Sequence, residues 1–271
     1  MLRHRTLRTA NLKKKKRKRT LIRSGILIGL FVLLIAGLSW AASLPRFQVK
    51  KVDAVGNTLV TASEIWQTID EETQGKYLYL FPKKNFIFFP KRHVLAAVAA
   101  QFPIFDGAKI DLEGVDTVRL RVTERKPVAL WCQGAVHEEG DCYFVDEHAY
   151  IYGVAPDFKG IVYVKYFGGI DFQDPIGHLF LTRERFSALA EVLAGVDKLG
   201  LNPSKVSVKD YGDYEIVISN GGILLLNQKT DPDHLLINLE TFLSQNKSTL
   251  TTHDIQYVDL RFGNKIFYKF N

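Results

Sequence analysis

The hydrophobic residues of this chain form one unbroken run near the N-terminus and many short periodic runs after it. The unbroken run covers residues 24–44, a stretch of 21 residues without a charged side chain. A helix of that length spans roughly 30 Å, the thickness of the hydrocarbon core of a bilayer. The run therefore predicts a transmembrane helix, and Trp40 near its C-terminal end suits the membrane interface.

Residues 46–125 alternate between strand and helix periodicity. The predicted elements are a strand at 47–56, a helix after Thr61, a helix at about 91–101, and strands at 108–112 and 117–124. Thr61 followed by Glu64 is a capping box, which marks the start of the first helix. The aromatic segment 77–82 is interpreted as a loop. A three-stranded sheet covered on one face by two helices is the simplest way to bury the apolar positions.

Residues 126–271 have mostly strand periodicity. The runs typical of strands are 127–132, 142–146, 149–153, 160–166, 204–210, 214–219, 222–227, 255–260 and 265–270. Two amphipathic helices interrupt them. One begins at Thr182 and the other at Asp231, where Pro232 takes the favoured first helical position. The predicted fold class is α+β: a single transmembrane helix, a β-α-α-β-β domain and a β-rich second domain with two helices.

The positive charge of the chain is concentrated before the apolar run. Residues 1–23 contain eleven of the 36 basic residues and no acidic residue, and the remainder carries 25 basic against 29 acidic side chains. A fold that binds nucleic acid would carry the positive charge itself, so no specific nucleic-acid binding is expected. The positive-inside rule places this tail in the cytoplasm and residues from about 46 onward outside it. We expect the tail to be disordered and held near anionic lipid.

A cleaved signal peptide is the alternative interpretation of the N-terminus. Residues 39–41, Ser-Trp-Ala, form a small-x-small sequence of the kind that signal peptidase recognises. The apolar run is longer than the roughly 7–15 residues of a signal peptide, and the basic region is longer than a signal requires. An uncleaved membrane anchor is therefore favoured.

The two cysteines, Cys132 and Cys142, both lie in the part of the chain predicted to be exported. Short apolar runs end and begin at these residues, and the polar, glycine-containing stretch between them indicates a hairpin that would bring the two sulfurs together. An oxidising compartment permits a disulfide. Free thiols remain an alternative, and so does a metal site that includes His137 and His148, although the even spacing is unlike that of zinc ligands.

No catalytic constellation is present in the sequence. It contains no Gly-x-Ser-x-Gly, HExxH, GxGxxG or P-loop motif, and its seven histidines are scattered. The densest polar cluster, at 146–148, lies between two apolar runs and is interpreted as a hairpin turn. We therefore predict no catalytic residue, no metal and no cofactor.

Several segments resemble one known family. Residues 47–65 resemble the opening of a POTRA domain. Residues 122–131 and 142–152 resemble the junction between the POTRA and β domains of the bacterial cell-division family FtsQ/DivIB, and residues 255–269 resemble its closing hairpin. In one departure, Ala149 replaces the glycine that is common in the family's hairpin, so that turn is expected to differ in type. The domains implied are a tail (1–23), a transmembrane helix (24–44), a POTRA-like domain (46–125) and a β domain (126–271).

The resemblance implies a non-enzymatic divisome subunit in the bacterial inner membrane, at the septum. Such proteins hold the division complex together outside the membrane and help license septal peptidoglycan synthesis. The implied partners are coiled-coil subunits like FtsB and FtsL and the septal peptidoglycan synthase complex. The residues carried over to partner binding are Asp259, Arg261 and Phe262.

The last predicted strand, 265–270, is expected to form a sheet edge with free backbone groups and an aromatic surface. An extended partner segment could pair with such an edge. The predicted partner-binding set is Tyr257, Asp259, Arg261, Phe262, Lys265, Phe267 and Tyr268. The alternative is that the protein covers this edge with its own loops.

Two other function classes compete with the scaffold. A bitopic envelope enzyme, such as a peptidase or transpeptidase, would need a nucleophile–base pair that the sequence does not indicate. A POTRA transport component would need a C-terminal β-barrel, and residues 126–271 are too few and contain two helices.

Overall fold

The structure is a computed structural model, which describes residues 4–263 and 265–271; for residues 4–15 and Glu139 it describes the backbone alone. The chain divides into two compact units. The first runs to Gln101 and also includes Gly107–Thr123, and the second comprises Phe102–Asp106 and Glu124–Asn271.

The first unit contains the N-terminal helix and a small α/β assembly. Its elements are α1 (His4–Ala42), β1 (Lys51–Val55), α2 (Ala62–Glu72), β2 (Lys76–Tyr77), β3 (Phe81–Pro82), α3 (Lys91–Gln101), β4 (Phe105–Glu113) and β5 (Thr117–Glu124). The strands pair in the order β1-β5-β4, and β1 runs parallel to β5. Buried side chains of α2, α3 and β5 form the core: Ile65, Ile69, Val94, Val98, Val118, Leu120 and Val122.

Helix α1 contains the expected membrane span. In the described part of the chain, the segment Lys16–Ala42 is long and apolar enough to cross a membrane, as the charge-free run predicts. The expectation that the basic tail is disordered differs from the structure, because α1 already begins at His4. Residues 1–3 of the tail lie outside the described residues.

Two details of the first unit differ from the sequence prediction. The first strand is shorter than 47–56, because Pro45–Phe47 form a 3-10 turn and regular pairing begins only at Lys51. The segment 77–82, interpreted as a loop, forms part of a two-stranded hairpin in which Tyr77 pairs with Phe81. The capping box at Thr61 is present, since the Thr61 hydroxyl accepts from the Glu64 N–H and the Glu64 carboxylate accepts from the Thr61 N–H.

The second unit is built on one large sheet. Its elements are β6 (Ala129–Ala135), β7 (Glu138–Val145), β8 (Ile151–Val154), β9 (Lys165–Gly168), α4 (Arg183–Lys198), β10 (Pro203–Val208), β11 (Asp213–Ile218), β12 (Ile223–Asn227), α5 (Pro232–Gln245), β13 (Ile255–Phe262) and β14 (Lys265–Phe270). Within the described residues the strands of this unit form a nine-stranded sheet in the order β14-β13-β12-β11-β10-β9-β6-β7-β8. The α+β fold class is confirmed.

Helices α4 and α5 cover one face of this sheet. Each begins where the caps predict: the Thr182 side chain accepts the N–H of Arg185, and the Asp231 side chain accepts the N–H of His234. Their buried residues, among them Phe186, Leu189, Leu235, Leu239 and Phe242, join the sheet in one continuous core. The predicted strand at 160–166 is shorter in the structure, because only Lys165–Gly168 finds pairing partners, on β6 and β10.

A smaller cluster lies on the opposite face, around the disulfide. Cys132 and Cys142 are direct partners in the β6–β7 register, with their Cα atoms 4.1 Å apart and their sulfurs joined. Cys132 is buried together with Leu130, Ala155 and Phe167. The hairpin predicted for the cysteines is therefore the one that the structure forms.

The β7–β8 turn keeps its left-handed residue despite the loss of glycine. Ala149 has a φ of +64° and is fully buried. The Asp146 carboxylate accepts the N–H groups of His148 and Tyr150 at 2.8 and 2.9 Å, and Arg125 bonds the same carboxylate. These contacts hold the backbone in place, so the expectation that the alanine changes the turn type was wrong in this respect.

Candidate partner-binding strand edge

The hairpin of β13 and β14 places the predicted partner-binding residues at one end of the large sheet. Strand β14 pairs with β13 and stands last in the sheet order. The sequence folds this way because two runs of alternating apolar residues flank a turn that contains Gly263, whose φ is +62°. The position of β14 as an edge agrees with the prediction from the sequence.

The direction of the backbone groups along β14 can be read from one hydrogen bond. The N–H of Asn271 donates to the carbonyl of Asp254, 2.9 Å away, so it points toward β13. Backbone groups alternate in direction along a strand. The N–H and C=O groups of Ile266, Tyr268 and Phe270 therefore point outward, away from the sheet.

The side chains of β14 divide between the two faces of the sheet. Ile266 and Phe270 pack against the main core, and the ring of Tyr268 lies 4.9 Å from that of Phe242 on α5. On the other face, Phe267 is exposed and its ring contacts that of Phe262 edge-on, with 5.4 Å between the centroids. The edge therefore presents aromatic surface on both faces, with Lys265 exposed beside it.

The face without helices extends this apolar surface inward from the edge. In the strand register Tyr257 lies opposite Ile223, which lies opposite Val217. In the neighbouring row Leu225 pairs with Asp259, which pairs with Phe267. The side chains of Val217, Ile223, Leu225 and Tyr257 are half-buried, so an open apolar strip runs beside the strand edge.

Asp259 and Arg261 form an ion pair within the hairpin. The Arg261 guanidinium donates to both carboxylate oxygens of Asp259, at 2.9 and 2.7 Å, and to Asp213 on β11 at 2.8 Å. Asp213 also accepts from the amide of Asn227 at 2.9 Å. Two of the predicted partner-binding residues are thus engaged in internal contacts that fix the geometry of β13.

This network changes the ionisation of both groups. Burial raises the pKa of Asp259, but the hydrogen bonds and the positive charge of Arg261 outweigh burial and leave that pKa below its ordinary value. The pKa of Arg261 is raised by its hydrogen bonds to Asp259 and then to Asp213. Both side chains are therefore charged at neutral pH, and they largely neutralise each other.

The structure separates the predicted residues into two groups. Phe262, Lys265, Phe267 and Tyr268 are exposed on or beside β14, whereas Tyr257, Asp259 and Arg261 are half-buried or buried on β13. The apolar strip formed by Val217, Ile223 and Leu225 was not predicted from the sequence. A signal existed, because the run 223–226 is apolar at every position and a strand of that kind shows an apolar side chain on both faces.

Side chains are described for residues 16–138, 140–263 and 265–271. Among them there is no group of three or more His, Cys, Asp or Glu that could hold a metal ion. The arrangement at β13–β14 instead offers unpaired backbone groups, exposed aromatic rings and a fixed charge pair, which suit the binding of an extended peptide segment.

Comparison with known proteins points in the same direction. No known family model matches the chain. The chain is 24% identical over 240 residues to "Cell division protein FtsQ" of Neisseria meningitidis serogroup B (strain ATCC BAA-335 / MC58), an alignment that covers 86% of this chain and 89% of that protein. The aligned stretch is longer than either compact unit, so the similarity extends over both. The resemblance to the FtsQ/DivIB family of cell-division proteins, first seen in separate motifs, is confirmed over most of the chain.

Proposed function

We propose that this protein is a membrane-anchored, non-enzymatic scaffold of the bacterial division complex. In this role it recruits and couples other division proteins and helps license septal peptidoglycan synthesis. The observation that carries the proposal is the open aromatic edge of β14, in a chain that is similar over most of its length to a cell-division protein. A binding surface without a catalytic group is what a scaffold needs.

Strand β14 accepts a partner by strand addition. A partner segment bonds to the outward groups of Ile266, Tyr268 and Phe270, which supply affinity that is largely independent of the partner's sequence. Specificity comes from the side chains, because Phe262 and Phe267 flank the added strand on one face. The family resemblance suggests coiled-coil subunits like FtsB and FtsL as the partners, and through them the septal peptidoglycan synthase complex.

The domain arrangement follows from the same proposal. Residues 1–23 lie in the cytoplasm, 24–44 cross the inner membrane, and the POTRA-like domain (46–125) and β domain (126–271) lie outside the cytoplasm at the septum. The excess of basic residues before the apolar run supports this orientation. A reporter that is active only outside the cytoplasm should work when fused after Arg46 and fail when fused at Arg23; the reverse result would contradict the orientation.

Localisation in dividing cells tests the function itself. A fluorescent fusion of the full chain, expressed in cells depleted of their own FtsQ, should form a band at midcell and restore division. A uniform envelope signal would contradict the proposal. The matched control is a fusion that lacks 265–271, which removes β14 and should no longer restore division.

A further inference from the structure

The hairpin β2–β3 is attached directly to the membrane helix. The Ser39 hydroxyl donates a hydrogen bond of 2.6 Å to the carbonyl of Leu80. Ser39 lies three residues before the end of α1 at Ala42, so this contact is about 5 Å below the helix end at 1.5 Å per residue. It also falls within the segment Lys16–Ala42 that is apolar enough to span a membrane.

Further contacts fix the base of the hairpin to the end of the helix. The buried Asn85 donates from its side-chain amide to the carbonyl of Ala42 at 2.9 Å, and Gln48 donates to the carbonyl of Ser43 at 2.9 Å. These bonds satisfy carbonyl groups that a helix end leaves without partners. The rings of Phe81 and Phe88 pack 4.8 Å apart beside them. The depth of the hairpin relative to the helix is therefore set by the fold.

The tip of this hairpin has an unusual composition for its conformation. The N–H of Leu80 donates to the carbonyl of Tyr77 at 2.9 Å, and the two residues between them, Leu78 and Tyr79, have φ values of +48° and +62°. Two consecutive positive φ values define a type I′ turn, which favours Asn-Gly. Large side chains are uncommon in this region, and such outliers are concentrated at functional sites.

The side chains at the tip are also the most exposed apolar groups among the described side chains of the first unit. Leu78 is 84% exposed and Tyr79 is 95% exposed. Ile87 in the following loop and Trp40 on the helix are exposed as well. Exposing this apolar tip to water is unfavourable. At the depth of Ser39 the membrane interface would surround the two side chains with lipid, where leucine and tyrosine are favoured.

We propose that the tip Leu78–Tyr79 inserts into the interface of the bilayer that α1 crosses, and so holds the first unit against the lipid surface. The tip contacts lipid in this proposal because the hydrogen bond to Ser39 places the hairpin beside the apolar part of the helix. Lys76 at the opposite end of the hairpin is exposed and suits anionic headgroups. The inference rests on α1 spanning the membrane and is independent of the proposed role in division.

Spin labelling of the full chain tests the insertion. The chain is reconstituted in vesicles of phosphatidylcholine and phosphatidylglycerol, and a nitroxide is attached at Leu78→Cys or at Leu59→Cys. Leu59 is the matched control, since it is an exposed leucine of the same unit that follows the C-terminal end of β1. The label at position 78 should collide several-fold less often with a water-soluble nickel chelate, and more often with oxygen. Equal nickel accessibility at the two positions would overturn the proposal.

A second variant should change the rate of amide hydrogen exchange in opposite directions, depending on whether the tip lies in lipid or in water. Leu78→Asn combined with Tyr79→Gly installs the residues that a type I′ turn prefers, so the hairpin keeps its fold. If the tip lies in lipid, the variant loses that contact and amide hydrogen exchange in residues 76–82 should become several-fold faster in vesicles. If the tip only lies in water, the relaxed turn should slow the exchange. Slower or unchanged exchange would contradict insertion.

Discussion

The two edge strands of the nine-stranded sheet, β8 and β14, differ in whether another segment of the chain bonds to their outer side. At one end, the N–H of Ile151 on β8 donates to the carbonyl of His178 at 2.9 Å, and the N–H of Gly177 donates to the carbonyl of Ile151 at 2.8 Å. A further bridge joins Tyr150 to Leu179. At the other end, β14 stands last in the sheet order within the described residues.

The contrast between the two edges indicates a role for each of them. An open apolar edge invites unwanted pairing, and proteins usually cover or charge it. This chain covers the start of β8, at Ile151, with its own segment 177–179, so it has the means to close an edge. In the described part of the chain the edge of β14 remains open and aromatic, with Lys265 and Lys269 as its charges. We infer that the open edge serves binding and the closed edge serves stability.

The largest expected effect is the loss of partner binding on removing one outward N–H. Tyr268→Pro deletes a backbone donor that points away from β13 and that an added strand would use. Capture of divisome proteins by the full chain should be abolished, while circular dichroism shows a folded protein. Tyr268→Ala is the matched control, because it also removes the ring but keeps the N–H, and it should weaken capture only partly.

A second proline substitution, at a residue whose N–H points toward β13, provides a comparison for this test. The N–H of Phe267 points toward β13, so Phe267→Pro removes a ladder hydrogen bond and should lower the melting temperature, unlike Tyr268→Pro. If a folded Tyr268→Pro protein captures its partners at full strength, strand addition at β14 is not the mode of binding.

The second prediction concerns the disulfide, on the half of the sheet that carries the closed edge. Replacing Cys132 and Cys142 by serine opens a loop with a sequence separation of 10. By chain entropy this should lower the free energy of unfolding by about 2–3 kcal/mol. Denaturant unfolding of the oxidised and variant chains measures the change. Partner capture by the folded variant should be unaffected; a parallel loss of capture would show that the two ends of the sheet are not independent.

The third prediction concerns the charge pair beside the open edge. Asp259→Asn replaces the charged acceptor of the Arg261 guanidinium by a neutral amide with a single acceptor oxygen. It should cost about 1.5–3 kcal/mol of unfolding free energy at pH 7, the range for hydrogen bonds to charged groups. The lower end of that range applies, since a third of the Arg261 side chain is exposed to solvent. Asp213→Asn, which removes a single contact of the same arginine, is the control and should cost less.

The pH dependence of this pair has a definite sign. Because the folded-state pKa of Asp259 lies below its ordinary value of 3.8, the stabilisation is complete well above pH 3.8 and is lost as the pH falls through the lower folded-state value. The difference in stability between the native chain and Asp259→Asn should therefore shrink on acidification below about pH 4. A difference that stays constant down to pH 2 would contradict the assignment.

The smallest expected effect is at the turn that leads into the closed edge. Ala149→Gly relieves a left-handed conformation worth about 1 kcal/mol, but it removes a buried methyl group worth about 0.8 kcal/mol. The free energy of unfolding should change by less than about 1 kcal/mol. Ala149→Val is the comparison, because a β-branched residue at positive φ should be clearly destabilising. Thermal unfolding of the three proteins decides between these outcomes.

Local signals predicted most of the fold. The caps at Thr61, Thr182 and Asp231 start helices where expected, because a cap depends on residues within one turn of itself. Strand ends were less predictable. The apolar run 160–166 pairs only from Lys165, since pairing depends on β6 and β10, which are distant in sequence.

Other features had no local signal at all. The hairpin β2–β3 turns through Leu78 and Tyr79, where no glycine or asparagine marks a turn. In the candidate site, the edge position of β14 was predictable from its place in the chain and its composition. The contact between Arg261 and Asp213 was not, because 48 residues separate them and the register of β11, β12 and β13 brings them together.

The order of strands in the large sheet also has a consequence for the rate of folding. Strand β9 lies between β6 and β10 and runs parallel to both, so that Trp131 pairs with Tyr166 across 35 residues of chain. Parallel pairing of distant segments requires the loop between them to close first, which is slow. Strand β14, by contrast, joins β13 through a short turn. We expect the hairpin that carries the proposed binding edge to form early, and the assembly of the sheet centre to limit how soon a newly made chain can hold that edge in place.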